Sequence, residues 1–77
     1  MIDQADLRPV LGSNVTRLRK AQKLSQDELA DRLGISRVFL NRIENGRSSP
    51  GAEVLYSLAD VLGVSADNLR QVPIDGV

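Results

Sequence analysis

Apolar residues in the first third of the chain recur at intervals of three and four, which is the period of a helix with one buried side. The stripe consists of Leu7, Leu11, Val15 and Leu18. It predicts a first helix over roughly residues 7–22, capped by Asp6. Pro9 is compatible with this helix because it lies in the first turn, where its missing N–H group would have no partner within the helix.

The stretch "SQDE", residues 25–28, has the pattern of a capping box, in which a serine and a glutamate each bind an end amide of the other. It predicts the start of a second helix that runs through Leu33 and ends at Gly34. The inner side of this helix is expected to consist of Leu29, Ala30 and Leu33. Ser36 is expected to cap a third helix that reaches Asn45.

Glycines mark the boundaries in the second half of the chain. Gly46 suits the left-handed conformation that closes a helix, and the loop "RSSPG" follows it. A fourth helix is predicted over about residues 52–62, with Gly51 as a weak cap and Gly63 as its end. Its buried side is expected to consist of Leu55, Leu58, Ala59 and Leu62.

The end of the chain adds one short element. Ser65 is expected to cap a last helix that includes Leu69, and residues 71–77 have no period and are expected to form a tail. No strand signal, repeat or low-complexity segment competes with the helical pattern. We therefore predict an all-α fold in a single domain, residues 1–77, with its core in about residues 7–70.

The composition agrees with a small helical domain and argues against several functions. A chain of 77 residues has room for one small core, and because Phe39 and Tyr56 are its only aromatic residues, that core must be aliphatic. Cysteine and histidine are absent, so we expect no disulfide, no metal site, no catalytic residues and no cofactor. No apolar run reaches the about 18 residues of a membrane span, and the lack of cysteine suits a reducing cytoplasm.

The net charge is zero, yet the charges are unevenly distributed along the chain. Residues 17–47 carry eight basic and four acidic side chains, which gives this segment a charge of +4. Residues 48–77 have a charge of −3, and residues 1–16 have a charge of −1. A basic segment beside an acidic one is typical of a protein that binds phosphate on one side, although solvated helices vary by similar amounts.

The third predicted helix has two chemically different sides. At about 100° per residue, one side collects Arg37, Val38, Asn41, Arg42 and Asn45. The opposite side collects Phe39, Leu40, Ile43 and Glu44. Arginine can donate two hydrogen bonds to guanine, asparagine can pair with adenine, and valine can contact the thymine methyl group. The pattern favours a helix that reads DNA; the alternative is an ordinary solvated side, on which Lys and Glu would be as common as Arg and Asn.

The connection between the second and third helices is typical of a helix-turn-helix. Ala30 permits close approach of the two helices and Gly34 permits the sharp bend, within a unit that covers about residues 25–45. Residues 11–69, about three quarters of the chain, resemble the Cro/cI phage-repressor family of helix-turn-helix domains, also called the xenobiotic-response-element type. The resemblance is carried by "NVTRLRKAQKLSQDELADRLGIS", "IENG" and "PGAEVLYSLADVLGVSADNL".

This resemblance implies a compact five-helix lambda-repressor-like domain that binds a near-palindromic operator as a homodimer, with the third helix in the major groove. By position, the residues that resemble base-reading residues are Arg37, Val38, Asn41 and Arg42. Those that resemble phosphate-contacting residues are Gln26, Ser36, Asn45 and Arg47. The family also pairs an arginine and a glutamate at the positions of Arg19 and Glu44. We expect these two to form a structural ion pair, because an inward acid without a partner would be costly.

Three features qualify the resemblance. Phe39 lies where restriction-modification controller proteins of the family often have Tyr, which makes that subgroup a candidate. The place of Phe39 on the inward side of the helix favours a half-buried wedge over a DNA contact. Gly51 lies where the family often has Ser or Thr, and the neutral net charge is low for a DNA-binding protein.

Three functions fit these patterns. The first is a transcriptional regulator that acts by occupying its operator or by contacting RNA polymerase. The second is an antitoxin or other interaction module that regulates its own gene and binds a toxin partner through its acidic C-terminal part. The third is the DNA-binding part of a longer sensor protein. The apolar residues of the C-terminal part that could face a partner, or a second copy in a homodimer built through helices four and five, are Val54, Val61, Val72, Ile74 and Val77.

Overall fold

A computed structural model describes residues 6–72 of the chain. Five α-helices account for most of these residues: α1 (Arg8–Ala21), α2 (Gln26–Leu33), α3 (Arg37–Glu44), α4 (Ala52–Leu62) and α5 (Ala66–Leu69). The described residues contain no β-strand. The all-α fold class and the order of the five helices are therefore confirmed, with boundaries within one or two residues of those predicted.

Side-chain caps determine where three of the helices begin. In α2 the Ser25 hydroxyl accepts a hydrogen bond from the Glu28 N–H at 3.0 Å, and the Glu28 carboxylate accepts one from the Ser25 N–H at 2.8 Å. The capping box is thus present, and the bond from the Ser25 N–H lowers the pKa of Glu28. Ser36 and Ser65 cap α3 and α5 in the same way, each with one bond of 3.0 Å to a backbone N–H group.

The start of α1 differs from the prediction. Leu7, and not Asp6, takes the cap position, because the helix begins only at Arg8. Asp6 still accepts a bond from the Arg8 N–H at 3.0 Å, and its carboxylate contacts the Arg8 guanidinium at 2.7 Å. These hydrogen bonds, chiefly those to the Arg8 side chain, lower the pKa of Asp6 to about 2. Lying before the first turn, Leu7 is exposed and does not join the core as its place in the apolar stripe predicted.

The core is aliphatic and draws on all five helices and on the α1–α2 loop. Its buried apolar residues are Leu11, Val15, Leu24, Leu29, Ala30, Leu40, Ile43, Leu58, Ala59, Leu62 and Leu69. Leu18, Leu33 and Leu55, which the periodicity placed on inner sides, are only half-buried at its margin. Because side chains from every helix meet in one cluster, the position of α3 depends on the packing of the whole domain.

Close backbone contact fixes where α1 crosses the end of α3. A side chain at Gly12 would place its first carbon less than 3.0 Å from the carbonyl groups of Ile43 and Glu44. Only a glycine therefore allows the two helices to approach this closely. The stripe of large apolar residues that predicted α1 gave no indication of this contact.

Two side-chain amides, one within α1 and one at its C-terminal cap, hold the second half of the domain in place. Asn14 is buried, and its side-chain N–H groups donate to the carbonyl oxygens of Leu69 at 2.8 Å and Gln71 at 2.9 Å. Gln22 donates in the same way to the carbonyl of Leu62 at 2.8 Å. These bonds satisfy carbonyl groups at and just beyond the ends of α4 and α5, which have no partner within their own helices.

Candidate nucleic-acid interface

Helix α3 has one buried edge and one exposed edge. Leu40 and Ile43 are fully buried, whereas Val38 is 63% exposed. Arg37, Asn41 and Arg42 are also exposed. The four residues that sequence analysis assigned to base reading therefore lie together on the solvent side of one short helix. Phe39 is half-buried against the core, which agrees with its interpretation as a wedge.

A buried ion pair fixes the inward edge of α3 to α1. The Arg19 Nε donates to Glu44 Oε2 at 2.7 Å, and Arg19 Nη2 donates to Glu44 Oε1 at 3.1 Å. A third donor, Arg19 Nη1, binds the carbonyl of Leu24 at 2.8 Å. The two side chains are only 11% and 4% exposed. Two parallel bonds of this kind define both the distance and the orientation of the two helices.

Hydrogen bonds extend from this ion pair toward the exposed edge. Gln26, the first residue of α2, donates from Nε2 to Glu44 Oε1 at 2.9 Å. Asn41 Nδ2 makes a long contact of 3.5 Å with Gln26 Oε1, and Asn45 Nδ2 donates to Asn41 Oδ1 at 3.0 Å. The chain of contacts orients three side chains that sequence analysis assigned to DNA. An amide nitrogen has two hydrogens, so Gln26 retains a second donor for a phosphate.

The basic residues of this surface differ in their partners. Arg37 Nε lies 3.1 Å from Asp27 Oδ1, and both side chains are largely exposed. Within residues 6–72, no carboxylate forms an ion pair with Arg42 or Arg47. Both arginines are exposed and can meet a negatively charged ligand. The contact with Asp27 was not predicted, although the helix-turn-helix places the start of α2 near the start of α3.

The four residues assigned to phosphate contacts surround this exposed edge. Gln26 opens α2, Ser36 caps α3, Asn45 follows its last residue, and Arg47 lies beyond the left-handed Gly46. The Ser36 oxygen accepts the capping bond, which leaves its own O–H group free to donate to an anion. Asp27 was not predicted to belong to this surface, and Gly12 and Asn14 were not predicted to position α1.

Other kinds of site are not found among the described residues. They contain no group of three or more residues that could hold a metal ion. None of the helices formed by them is long and apolar enough to cross a membrane.

Comparison with known proteins gives the same picture of the fold. A helix-turn-helix family model matches residues 15–69. The uncharacterized HTH-type transcriptional regulator y4dJ from Sinorhizobium fredii is 45% identical over 60 residues, which cover 78% of this chain and 78% of that protein. The residues matched by the family model include all of α2 and α3 and most of the core.

Solved structures of two regulators are also similar. The restriction-modification controller protein C.AhdI from Aeromonas hydrophila is 27% identical, with a TM-score of 0.75 over 80% of this chain and 94% of that chain. The master regulator for biofilm formation SinR, solved in complex with DNA, is 31% identical, with a TM-score of 0.73 over 79% of this chain and 98% of that chain. These proteins are a transcriptional regulator, a controller protein and a master regulator, which agrees with the prediction that this chain is not an enzyme.

Proposed function

The chain belongs to the Cro/cI-like helix-turn-helix family of DNA-binding transcriptional regulators, and from that membership we propose that it binds a near-palindromic operator as a homodimer through α3. The observation that carries the proposal is the division of α3 into an edge fixed by a buried ion pair and an edge of exposed donors. An α-helix with its side chains is about 10–12 Å across, which matches the width of the major groove.

Base reading is assigned to the exposed edge of α3. Arg37 and Arg42 offer paired donors for guanine, Asn41 offers a donor and an acceptor for adenine, and Val38 offers an apolar surface for the thymine methyl group. Phosphate contacts are assigned to Gln26, Ser36, Asn45 and Arg47, which flank this edge. Contacts to phosphates fix the register of a protein on DNA, whereas contacts to base edges supply the sequence preference.

Apolar surface on α4 and beyond α5 supports a homodimer. Tyr56 and Val72 are 65% and 67% exposed, and Val54 and Val61 are half-buried at the edge of the core. Ile74 and Val77, which sequence analysis added to this surface, lie outside the described residues. A symmetric dimer would present two copies of α3 to half-sites about one helical turn apart.

The negative charge of the C-terminal part favours a protein, and not DNA, as the partner of this segment. Residues 48–77 have a charge of −3, so DNA would repel this segment while it attracts residues 17–47, with a charge of +4. We assign the regulatory effect to repression by operator occupancy. If the acidic part also contacted RNA polymerase, the protein would activate transcription. If it contacted a toxin, the protein would neutralise that toxin in addition to binding DNA.

Two experiments test the proposal. The first selects bound duplexes from a random pool, and the second is a footprint on the DNA upstream of the protein's own gene. We expect two half-sites related by two-fold symmetry, with centres about 10 base pairs apart. Sedimentation at micromolar concentration should give a dimer. A protein that is monomeric both free and on DNA, bound to one asymmetric site, would contradict the proposal. Transcription in vitro from the bound promoter then distinguishes repression from activation.

A further inference from the structure

The ion pair between Arg37 and Asp27 is the only one among the described residues that joins α2 to α3. Its side chains are 60% and 78% exposed, so it contributes little to the stability of the fold. The pair also lies where the family membership leads us to expect DNA, and a carboxylate there repels phosphates. An acid in the first turn of α2 favours the helix, but Glu28 already supplies a carboxylate there, and a second acid beside the DNA is further explained if it serves recognition.

The geometry of the pair leaves one side of the guanidinium available. The shortest approach of the two groups is between Asp27 Oδ1 and Arg37 Nε, at 3.1 Å, and the guanidinium makes no side-chain hydrogen bond among the described residues. Two guanidinium nitrogens are the donors that bind O6 and N7 of guanine together. Attraction to a carboxylate beside Nε therefore favours one orientation of the group and leaves its terminal donors available to a base.

We propose that Asp27 is a specificity-determining positioning residue, which holds the Arg37 guanidinium for a guanine and disfavours its contact with phosphate. The proposal rests on the proposed function of α3 as the reading helix. Arginine has a long, flexible side chain, and a phosphate that it reaches is the same in every sequence. With Asp27 beside it, the guanidinium already has a negatively charged neighbour, so the neutral acceptors of guanine compete better with the phosphate oxygens.

Removing the carboxylate should change two measurements in opposite directions. Without Asp27, repulsion from the phosphates is lost and Arg37 can turn toward the backbone, so affinity for unrelated sequences should rise. At the same time, the preference for guanine over the other bases should fall, because the guanidinium is no longer held in one orientation. A residue with a merely structural role would change both affinities together.

The test uses Asp27→Asn, which preserves the size of the side chain, in titrations on the selected operator, on operators with the guanine replaced, and on a scrambled duplex. We expect the affinity for the scrambled duplex to rise by about two- to fivefold. The ratio of affinities for guanine and its replacements should fall by a similar factor, while the melting temperature changes little. Asp27→Glu keeps the charge and should restore most of the ratio.

Two further variants make the result decisive. Asp31→Asn removes the same charge from an exposed position one turn later on α2 and should leave the guanine preference intact. In the Arg37→Ala background, Asp27→Asn should cause no further loss of preference, because the residue acts through Arg37. An unchanged guanine preference in Asp27→Asn, or an equal loss in Asp31→Asn, would overturn the proposal. Failure of Arg37→Ala to reduce the preference would instead contradict the reading role of α3.

Discussion

The two edges of α3 belong to one helix of eight residues, but their side chains have different surroundings. Leu40 and Ile43 are fully buried, and the Glu44 side chain is 4% exposed in its ion pair with Arg19. On the opposite edge Arg37 and Val38 face solvent. Changes on the inner edge should therefore reduce the free energy of unfolding, whereas changes on the outer edge should reduce DNA binding and leave the fold intact.

The largest effect is expected from Glu44→Ala on the inner edge. This change leaves the buried Arg19 guanidinium without its acid and should lower the free energy of unfolding by about 3–5 kcal/mol. Removal of both partners, as in Arg19→Met with Glu44→Leu, should cost less than the single change, because no charge is then buried alone. Thermal or urea unfolding of the variants gives the comparison. A loss in the double variant as large as that in Glu44→Ala, or larger, would show that the two side chains are not energetically coupled.

A smaller loss is expected from Gly12→Ala, where α1 crosses the end of α3. Alanine is the better helix former by about 1 kcal/mol, so without the close contact the change would stabilise the protein. The carbonyl groups of Ile43 and Glu44 lie in the way, and we expect a net loss of about 1–3 kcal/mol. Ser13→Ala, at the neighbouring exposed position of α1, is the matched control and should change the stability by no more than about 0.5 kcal/mol. A stabilised Gly12→Ala would mean that the two helices are farther apart than described.

The smallest effect is expected from Arg47→Ala, beyond the end of α3. This residue is exposed and follows Gly46, so its assigned contact is with the DNA backbone and not with a base. Binding to operator and scrambled duplexes should weaken by the same factor, and the slope of log affinity against log salt should decrease by about one unit per lost contact. Titrations at several salt concentrations measure both. A loss of affinity for the operator alone would show that Arg47 contacts a base and not the backbone.

Repeating patterns allowed the fold to be predicted from sequence. The three- and four-residue spacing of leucines identified the helices, and "SQDE", Ser36 and Gly34 identified the ends of α2 and the start of α3 correctly, because caps are local interactions. Leu7 was wrongly placed in the core because periodicity does not show where a helix begins. The spacing of apolar residues can extend one residue beyond the first residue of a helix, as it does at Leu7.

Contacts between distant segments could not be predicted in the same way. Gly12 is needed only because the end of α3 lies against α1, and Asn14 is buried only because its partners lie more than 50 residues away. Both are inconspicuous in the pattern of the first helix. Asp27 was missed for a similar reason: its partner follows ten residues later, across the turn, and an acid in the first turn of a helix is common on electrostatic grounds alone.

The outer edge of α3 is assigned to base reading, and the DNA binding of Arg37→Ala measures this role. The variant and the unchanged protein would be titrated on the operator and on a scrambled duplex at the same salt concentration. We expect a loss of about 1–3 kcal/mol on the operator, a relaxed base preference at one position per half-site, and little change on the scrambled duplex. An equal loss of affinity on both duplexes would show that Arg37 contacts only the DNA backbone and would contradict the assignment of α3 as the reading helix.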